Sequence, residues 1–289
     1  QRIYWSQIKP LRDQGVITTL LVNSDEPWIP WELIKPFRFD DASGAEEKDS
    51  FLVEAFVFSR WLARPLPPNL AVQEAALVMP DLDLPSVQGE KKFFDKLAKQ
   101  RRLKLQGPLQ AREAVLDSLY AGDFQLLHFA THGNFNSANA EQSELELSDG
   151  TLAPADLLGS RLSGMRRSRP LVFLNACHSG QVALTLTGLG GWAEKLFRDG
   201  RASVFVGALW DVTDELATAF AEAFYLALKE GKTLGEAMRS ARLAVRKQQQ
   251  GNPTWLAYAL YGDPTATVTL GSADPYTESR LRHTTSPAT

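Results

Sequence analysis

Two apolar runs in this chain each end at a reactive side chain followed closely by glycine. Leu126-Leu-His-Phe-Ala-Thr-His132-Gly133 delivers an imidazole, and Leu171-Val-Phe-Leu-Asn-Ala-Cys177-His-Ser-Gly180 delivers the sequence's single thiol. An ordinary thiol ionises near pH ~8.5 and an imidazole near ~6.5. An imidazole beside the thiol can therefore take its proton and later pass one to a leaving amine. Cys177 is the candidate nucleophile and His132 the candidate base. The backbone N–H groups of Gly133 and Cys177 are candidate oxyanion-hole donors, although a glycine there also serves as a plain turn residue. Alone, a cysteine closing an apolar run reads as a small core residue. The paired pattern reverses that reading.

Groups at the ends of apolar runs need strands behind them. Strands are expected at Phe124 to Thr131, Leu171 to Ala176 and Ser203 to Leu209, with helices at Leu189 to Arg198, Asp214 to Lys229 and Thr233 to Gln248. That alternation calls for an α/β fold with a mostly parallel sheet and crossover helices, whose ligands bind outside the carboxyl ends of the strands. Leu145 to Leu152 alternates around Asp149-Gly150, a hairpin signal. Upstream, Val16 to Val22 and Ala75 to Met79 read as strands, Lys91 to Lys104 and Leu109 to Ala121 as helices broken by Gly107-Pro108, and Asp40 to Lys48 as an acidic loop. Leu256 to Tyr261 and Ala266 to Leu270 read as edge structure. His128 precedes His132 by an even number of positions, so in one strand they share a face; His128 reads as a packed, hydrogen-bonded strand residue.

The 289 residues, 44% hydrophobic and 22% charged, suit one large or two small globular domains. A net charge of −3 with no basic stripe argues against direct nucleic-acid contact, and no apolar run reaches the ~18 residues of a membrane span, so a cytoplasmic protein without membrane contact is expected. One cysteine and four scattered histidines make no disulfide framework and no zinc site. Gly188-Leu-Gly-Gly-Trp-Ala193 stands too far from the preceding strand for a dinucleotide loop, so no cofactor is expected. Trp28, Trp31, Trp192, Trp210 and Trp255 read as core and pocket walls rather than base-stacking platforms. Gln1 in place of methionine leads us to expect a fragment of a longer chain.

Phe129-Ala-Thr-His-Gly133, Phe173-Leu-Asn-Ala-Cys-His-Ser-Gly180 and Val206-Gly-Ala-Leu-Trp-Asp-Val-Thr-Asp214, in that order, resemble the CHAT family of caspase-like proteases, whose clan includes separase, metacaspases and clostripain. The resemblance implies a caspase-like sheet flanked by helices. Residues 111–270 would form the catalytic subdomain, 1–110 a less regular half that can be a pseudo-protease subdomain, and 271–289 are expected to be a disordered tail. It also implies a regulated cysteine endopeptidase in a context such as bacterial defence. The protease would be the effector of a larger system, partnered by an upstream sensor or repeat domain or by an activating partner, and acting on a protein or peptide substrate. Asp211 and Asp214 fall where separase-like relatives hold a basic substrate side chain, which suits cleavage after arginine, then lysine. Asp214 also reads as a helix cap and Asp211 as a solvated loop charge, and the sequence leaves open which contacts substrate. Two rival readings are a catalytically silent caspase-like scaffold that binds partners and an acyl-transfer enzyme for small molecules.

Overall fold

The computed structural model describes residues 2–24, 29–39, 43–61, 68–82, 85–134, 140–177 and 189–272. Ten strands form one sheet: β1 (Thr19–Asn23), β2 (Val57–Trp61), β3 (Glu74–Val78), β4 (Lys104–Leu109), β5 (Leu126–Asn134), β6 (Glu144–Leu147), β7 (Gly150–Leu152), β8 (Leu171–Cys177), β9 (Val204–Ala208) and β10 (Tyr258–Tyr261). Their order is β1-β2-β10-β9-β8-β5-β3-β4, with the β6–β7 hairpin attached to the far end of β5. Neighbours along that path are parallel except β9 and β10, which pair antiparallel. Two parallel blocks therefore meet at one seam, and strands from the amino-terminal third flank the centre on both sides. The central strands are apolar because both faces are covered. Every residue of β9 and β10 is buried.

Four long helices frame the sheet: α1 (Pro85–Arg101), α2 (Arg112–Ala121), α3 (Asp214–Lys229) and α4 (Leu234–Gln248). Leu216, Ala217, Phe220, Ala221, Phe224 and Tyr225 recur at helical spacing, giving α3 a stripe that is wholly buried. Helix α4 begins with a capping box, in which the Glu236 N–H donates to Thr233 Oγ1 at 3.4 Å and the Thr233 N–H donates to Glu236 Oε2 at 2.9 Å. Helices α1, α3 and α4 pack side by side on one face. There Phe94 of α1 and Tyr225 of α3 surround His128 of β5. Phe129, one residue on, points the other way and meets Trp192.

Several boundaries depart from the sequence expectation. The segment expected to break two helices is β4, an edge strand whose Gly107-Pro108 is tolerated because an edge needs no complete ladder. Leu256 to Tyr261 is not edge structure: after a helical turn at Thr254–Ala257, β10 runs through the middle of the sheet. Thr267–Leu270 pairs in parallel with Asn69–Val72 in a separate two-stranded sheet. Part of the expected acidic loop is a strand, Glu46–Lys48, paired with Phe37–Phe39. Helix α1 begins at Pro85, well before Lys91, because proline fits the first helical position. At the start of the expected tail, the Gly271 N–H donates to Val72 O at 2.6 Å. Gly271 has φ +57°, and a Cβ there would meet Arg101 O at 1.9 Å, so only glycine fits. Residues 273–289 of that tail, Trp28, His178 and His283 lie outside the described residues.

A buried ion pair ties the amino-terminal region to the sheet. Arg60 of β2 donates through Nε to Glu32 Oε1 at 2.9 Å and through Nη2 to the second carboxylate oxygen. Its Nη1 reaches the Tyr261 hydroxyl at 3.3 Å. Burial opposes the Arg60 charge, but Glu32 outweighs it and holds the guanidinium above its ordinary value. Removing one partner of such a pair leaves an uncompensated buried charge. Glu32→Ala should therefore cost about 3–5 kcal/mol, read as a lower urea midpoint at unchanged slope. Glu47→Ala, which breaks the exposed Arg38–Glu47 pair, should cost no more than about 1 kcal/mol. Equal losses in the two variants would contradict this account.

Candidate active site

Strands β5 and β8 pair in parallel from Leu126↔Leu171 through His128↔Phe173 and Ala130↔Asn175 to His132↔Cys177. Adjacent strands lie about 4.8 Å apart, so the backbones at 132 and 177 are immediate neighbours at the carboxyl end of the central block. His132 is half-buried and Gly133 buried. Past this point β5 changes partner, pairing Gly133 with Leu145 and Asn134 with Glu144 of β6. Thr131 Oγ1 donates to Glu146 O at 2.5 Å and fastens that hairpin beside the rim.

Strand β9 leads to the same rim. The Leu209 N–H donates to Ala257 O at 2.7 Å, and Trp210 and Val212 are buried. Asp211 between them is half-buried, with its Oδ1 shielded from solvent. Asp214 is not the helix cap: Thr213 holds the N-cap position of α3, and Asp214 is the first helical residue. The helix dipole favours a carboxylate there. Asp214 lines a small cleft together with Glu90 of α1, Ala130 and Thr131 of β5, Asn175 of β8 and Ala217 of α3. Asp211 does not line it.

Beneath the cleft lies a buried chain of polar groups. The Asn175 amide donates to Glu90 Oε1 at 2.7 Å and the Tyr258 hydroxyl donates to Asn175 Oδ1 at 2.7 Å. Glu90 Oε2 is 2.6 Å from His128 Nε2, and His128 Nδ1 is 3.0 Å from the Tyr225 hydroxyl. Thr218 Oγ1 donates to Glu90 Oε1 at 3.3 Å. Burial, and then the Glu90 charge, push the Tyr225 phenol well above its ordinary value, so it keeps its proton. The hydroxyl and the Glu90 carboxylate thus partner both ring nitrogens of His128, with donor and acceptor roles set by its tautomer. Burial together with Glu90 also raises the Glu222 carboxyl. His128 is thus a packed, hydrogen-bonded strand histidine with no exposed surface. Glu90 escapes a reading of the sequence, because a glutamate next to Lys91-Lys92 reads as solvated charge and the helix expected from Lys91 leaves out the six residues from Pro85 to Glu90.

Among the described residues no cluster of three or more histidine, cysteine, aspartate or glutamate side chains is arranged to hold a metal ion. No helix among them is long and apolar enough to cross a membrane. A family model described as the CHAT domain matches residues 1–267. A comparison with curated proteins gives no match. Among solved structures, the complex of pro- and mature domains of RgpB from Porphyromonas gingivalis superposes with a TM-score of 0.56 at 13% identity, covering 91% of this chain and 70% of that one. The Arg-specific cysteine proteinase gingipain R gives 0.50 at 16% identity over 70% of this chain. Saccharomyces cerevisiae separase, in complex with securin, gives 0.49 at 19% identity over 85% of this chain. The chain spans only 15% of that separase chain and 48% of the gingipain R chain.

Tyr225→Phe removes the hydroxyl partner of a buried imidazole nitrogen and leaves it unsatisfied, so stability should fall by about 1–3 kcal/mol. Tyr120 is exposed, and Tyr120→Phe should change the unfolding midpoint negligibly. A neutral Tyr225→Phe would remove the case for this hydrogen bond.

Proposed function

Because the chain belongs to the CHAT domain family, we propose that it is a cysteine endopeptidase in which Cys177 is the nucleophile and His132 the general base and acid. The observation that carries the reading is the register that sets residue 177 opposite residue 132 at the carboxyl end of the central parallel strands. On this reading His132 takes the thiol proton and the Cys177 sulfur attacks the scissile carbonyl. The tetrahedral oxyanion leans on backbone N–H groups, with those of Gly133 and Cys177 as candidates. Collapse of that adduct breaks the C–N bond, the amine leaves with the proton from His132, and water then hydrolyses the thioester.

Cleavage after arginine, with lysine second, is the proposed specificity. Asp214 lines the small cleft between Ala130, Thr131 and Asn175 of the two strands and the start of α3, in company with Glu90. A guanidinium matches a carboxylate with two parallel hydrogen bonds, whereas an ammonium offers a point charge. Gingipain R, similar in fold, is itself Arg-specific. Of the two aspartates, Asp214 is the proposed substrate contact, since Asp211 does not line the cleft. The complex of RgpB pro- and mature domains supports a protein partner for this protease. A sensor or repeat module in a longer chain is part of the same proposal.

Cys177→Ala and His132→Ala should each abolish peptide cleavage without unfolding the protein, and their losses should not add; full cleavage by either variant would sink the mechanism. In a peptide series varied only before the scissile bond, Asp214→Asn should lower kcat/KM for arginine by about 3–5 kcal/mol, roughly two to four decades. Alkylation of Cys177 by a small neutral reagent should be unaffected. An unchanged arginine preference in Asp214→Asn, or a wild-type preference for aspartate, would overturn the specificity assignment.

A further inference from the structure

Glu90 bridges the two strands that carry His132 and Cys177. One carboxylate oxygen accepts from Asn175, two positions before Cys177, at 2.7 Å. The other meets Nε2 of His128, four positions before His132, at 2.6 Å. Glu90, His128 and Asn175 are almost wholly buried, and Glu90 and Asn175 both line the cleft with Asp214. A buried carboxylate is costly unless its lone pairs are filled. Here three side chains converge on it from β5, β8 and α3. A sheet needs no such group for its own ladder, and apolar side chains of similar size would pack the site at lower cost. The cost is borne directly under the rim, at the one place where the relative position of β5 and β8 decides whether residues 132 and 177 meet.

We propose that Glu90 is a positioning residue for the peptidase reaction, a strap that clamps β5 to β8 from α1 and so holds His132 and Cys177 in reacting alignment. The inference rests on the proposed Cys177–His132 chemistry but not on arginine specificity. Its effect reaches the reacting atoms only through the two strands. Tyr225 and Tyr258 back it by holding the far sides of His128 and Asn175 at 3.0 and 2.7 Å.

The test is the pH dependence of Cys177 alkylation by iodoacetamide, which needs no peptide substrate. A cysteine aligned with an imidazole reacts well below the ordinary thiol range. The wild type should show that acid limb. Glu90→Met fills the space without accepting hydrogen bonds, and it should move the limb toward an ordinary thiol, slowing alkylation at pH 6 by about tenfold or more. Glu90→Gln keeps an acceptor for Asn175 and Thr218, and its amide can donate to Nε2 in the His128 tautomer that protonates Nδ1; it should restore the wild-type profile. Circular dichroism and urea midpoints report folding independently. A folded Glu90→Met with the wild-type profile overturns the strap. If Glu90→Met does not fold, Glu90→Gln decides: a folded Glu90→Gln with a free-thiol profile overturns it, and a wild-type profile supports it. A free-thiol profile in the wild type would defeat the Cys177–His132 reading and the strap with it, whereas loss of arginine preference in the peptide series would leave the strap standing.

Discussion

The register between Leu126–Asn134 and Leu171–Cys177 is the constraint on which the remaining structure depends. A slip of one residue would turn every side chain of one strand to the wrong face. His128 would then leave its place between Phe94 and Tyr225, and Phe129 would lose Trp192. Because both faces are covered by different partners, no compensating packing exists for a slipped arrangement. Side-chain chemistry strengthens the same register, since the Glu90 carboxylate meets His128 and Asn175 together only when Phe173 lies opposite His128. The rim geometry follows from an alignment set several residues below it.

The antiparallel strand Tyr258–Tyr261 connects this centre to the amino-terminal region. Residues three apart in a strand face opposite ways, and the two tyrosines use that. Tyr258 stacks on Phe220 with centroids 3.9 Å apart and donates to Asn175. Tyr261 packs against Phe197 and Phe205 and shares Arg60 with Glu32. Arg242 lies beneath the same strand, donating to Tyr258 O at 2.8 Å, and burial pushes its pKa down to about 10. Two buried polar centres, one under the cleft and one under Trp31–Leu33, are therefore joined through four residues. The amino-terminal segment is thereby bound into the same sheet as the strands that reach the rim.

Much of the central architecture was legible because parallel strands buried on both faces leave apolar runs, continuous in Leu171 to Leu174 and interrupted only by His128 in Leu126 to Ala130. The amphipathic stripe of Asp214–Lys229 was equally clear. Elements that depend on tertiary context were not. Lys104–Leu109 is polar and carries a proline, which its own residues cannot distinguish from a loop; only an edge position makes it a strand. Tyr258–Tyr261 follows a helical turn and is too short to reveal that it lies at the centre of the sheet. At the candidate site, His132, Gly133, Cys177, Asp211 and Asp214 stood out because motif residues cluster at strand ends. Glu90, Asn175, Tyr225 and Tyr258 come from four separate elements, and hydrogen bonding between them has no sequence period.

The cleft's electrostatics follow from how its two carboxylates are held. Glu90 is satisfied by side-chain donors and serves the strands. Asp214 stands at the first position of a sixteen-residue helix, where the positive end of the macrodipole supports a negative charge without occupying its oxygens. One carboxylate is thus committed to structure, while the other stands where the helix field supports its charge. Low dielectric beneath the cleft strengthens the attraction of both for an incoming cation. A guanidinium can bond Asp214 through two N–H groups and still feel Glu90 at longer range, a combination that an ammonium, with no planar fork, reproduces only in part. On the proposed reading, selectivity for arginine and alignment of the reacting pair draw on neighbouring carboxylates with separate tasks, so that the substrate pocket can change at Asp214 while the strands stay fixed by Glu90.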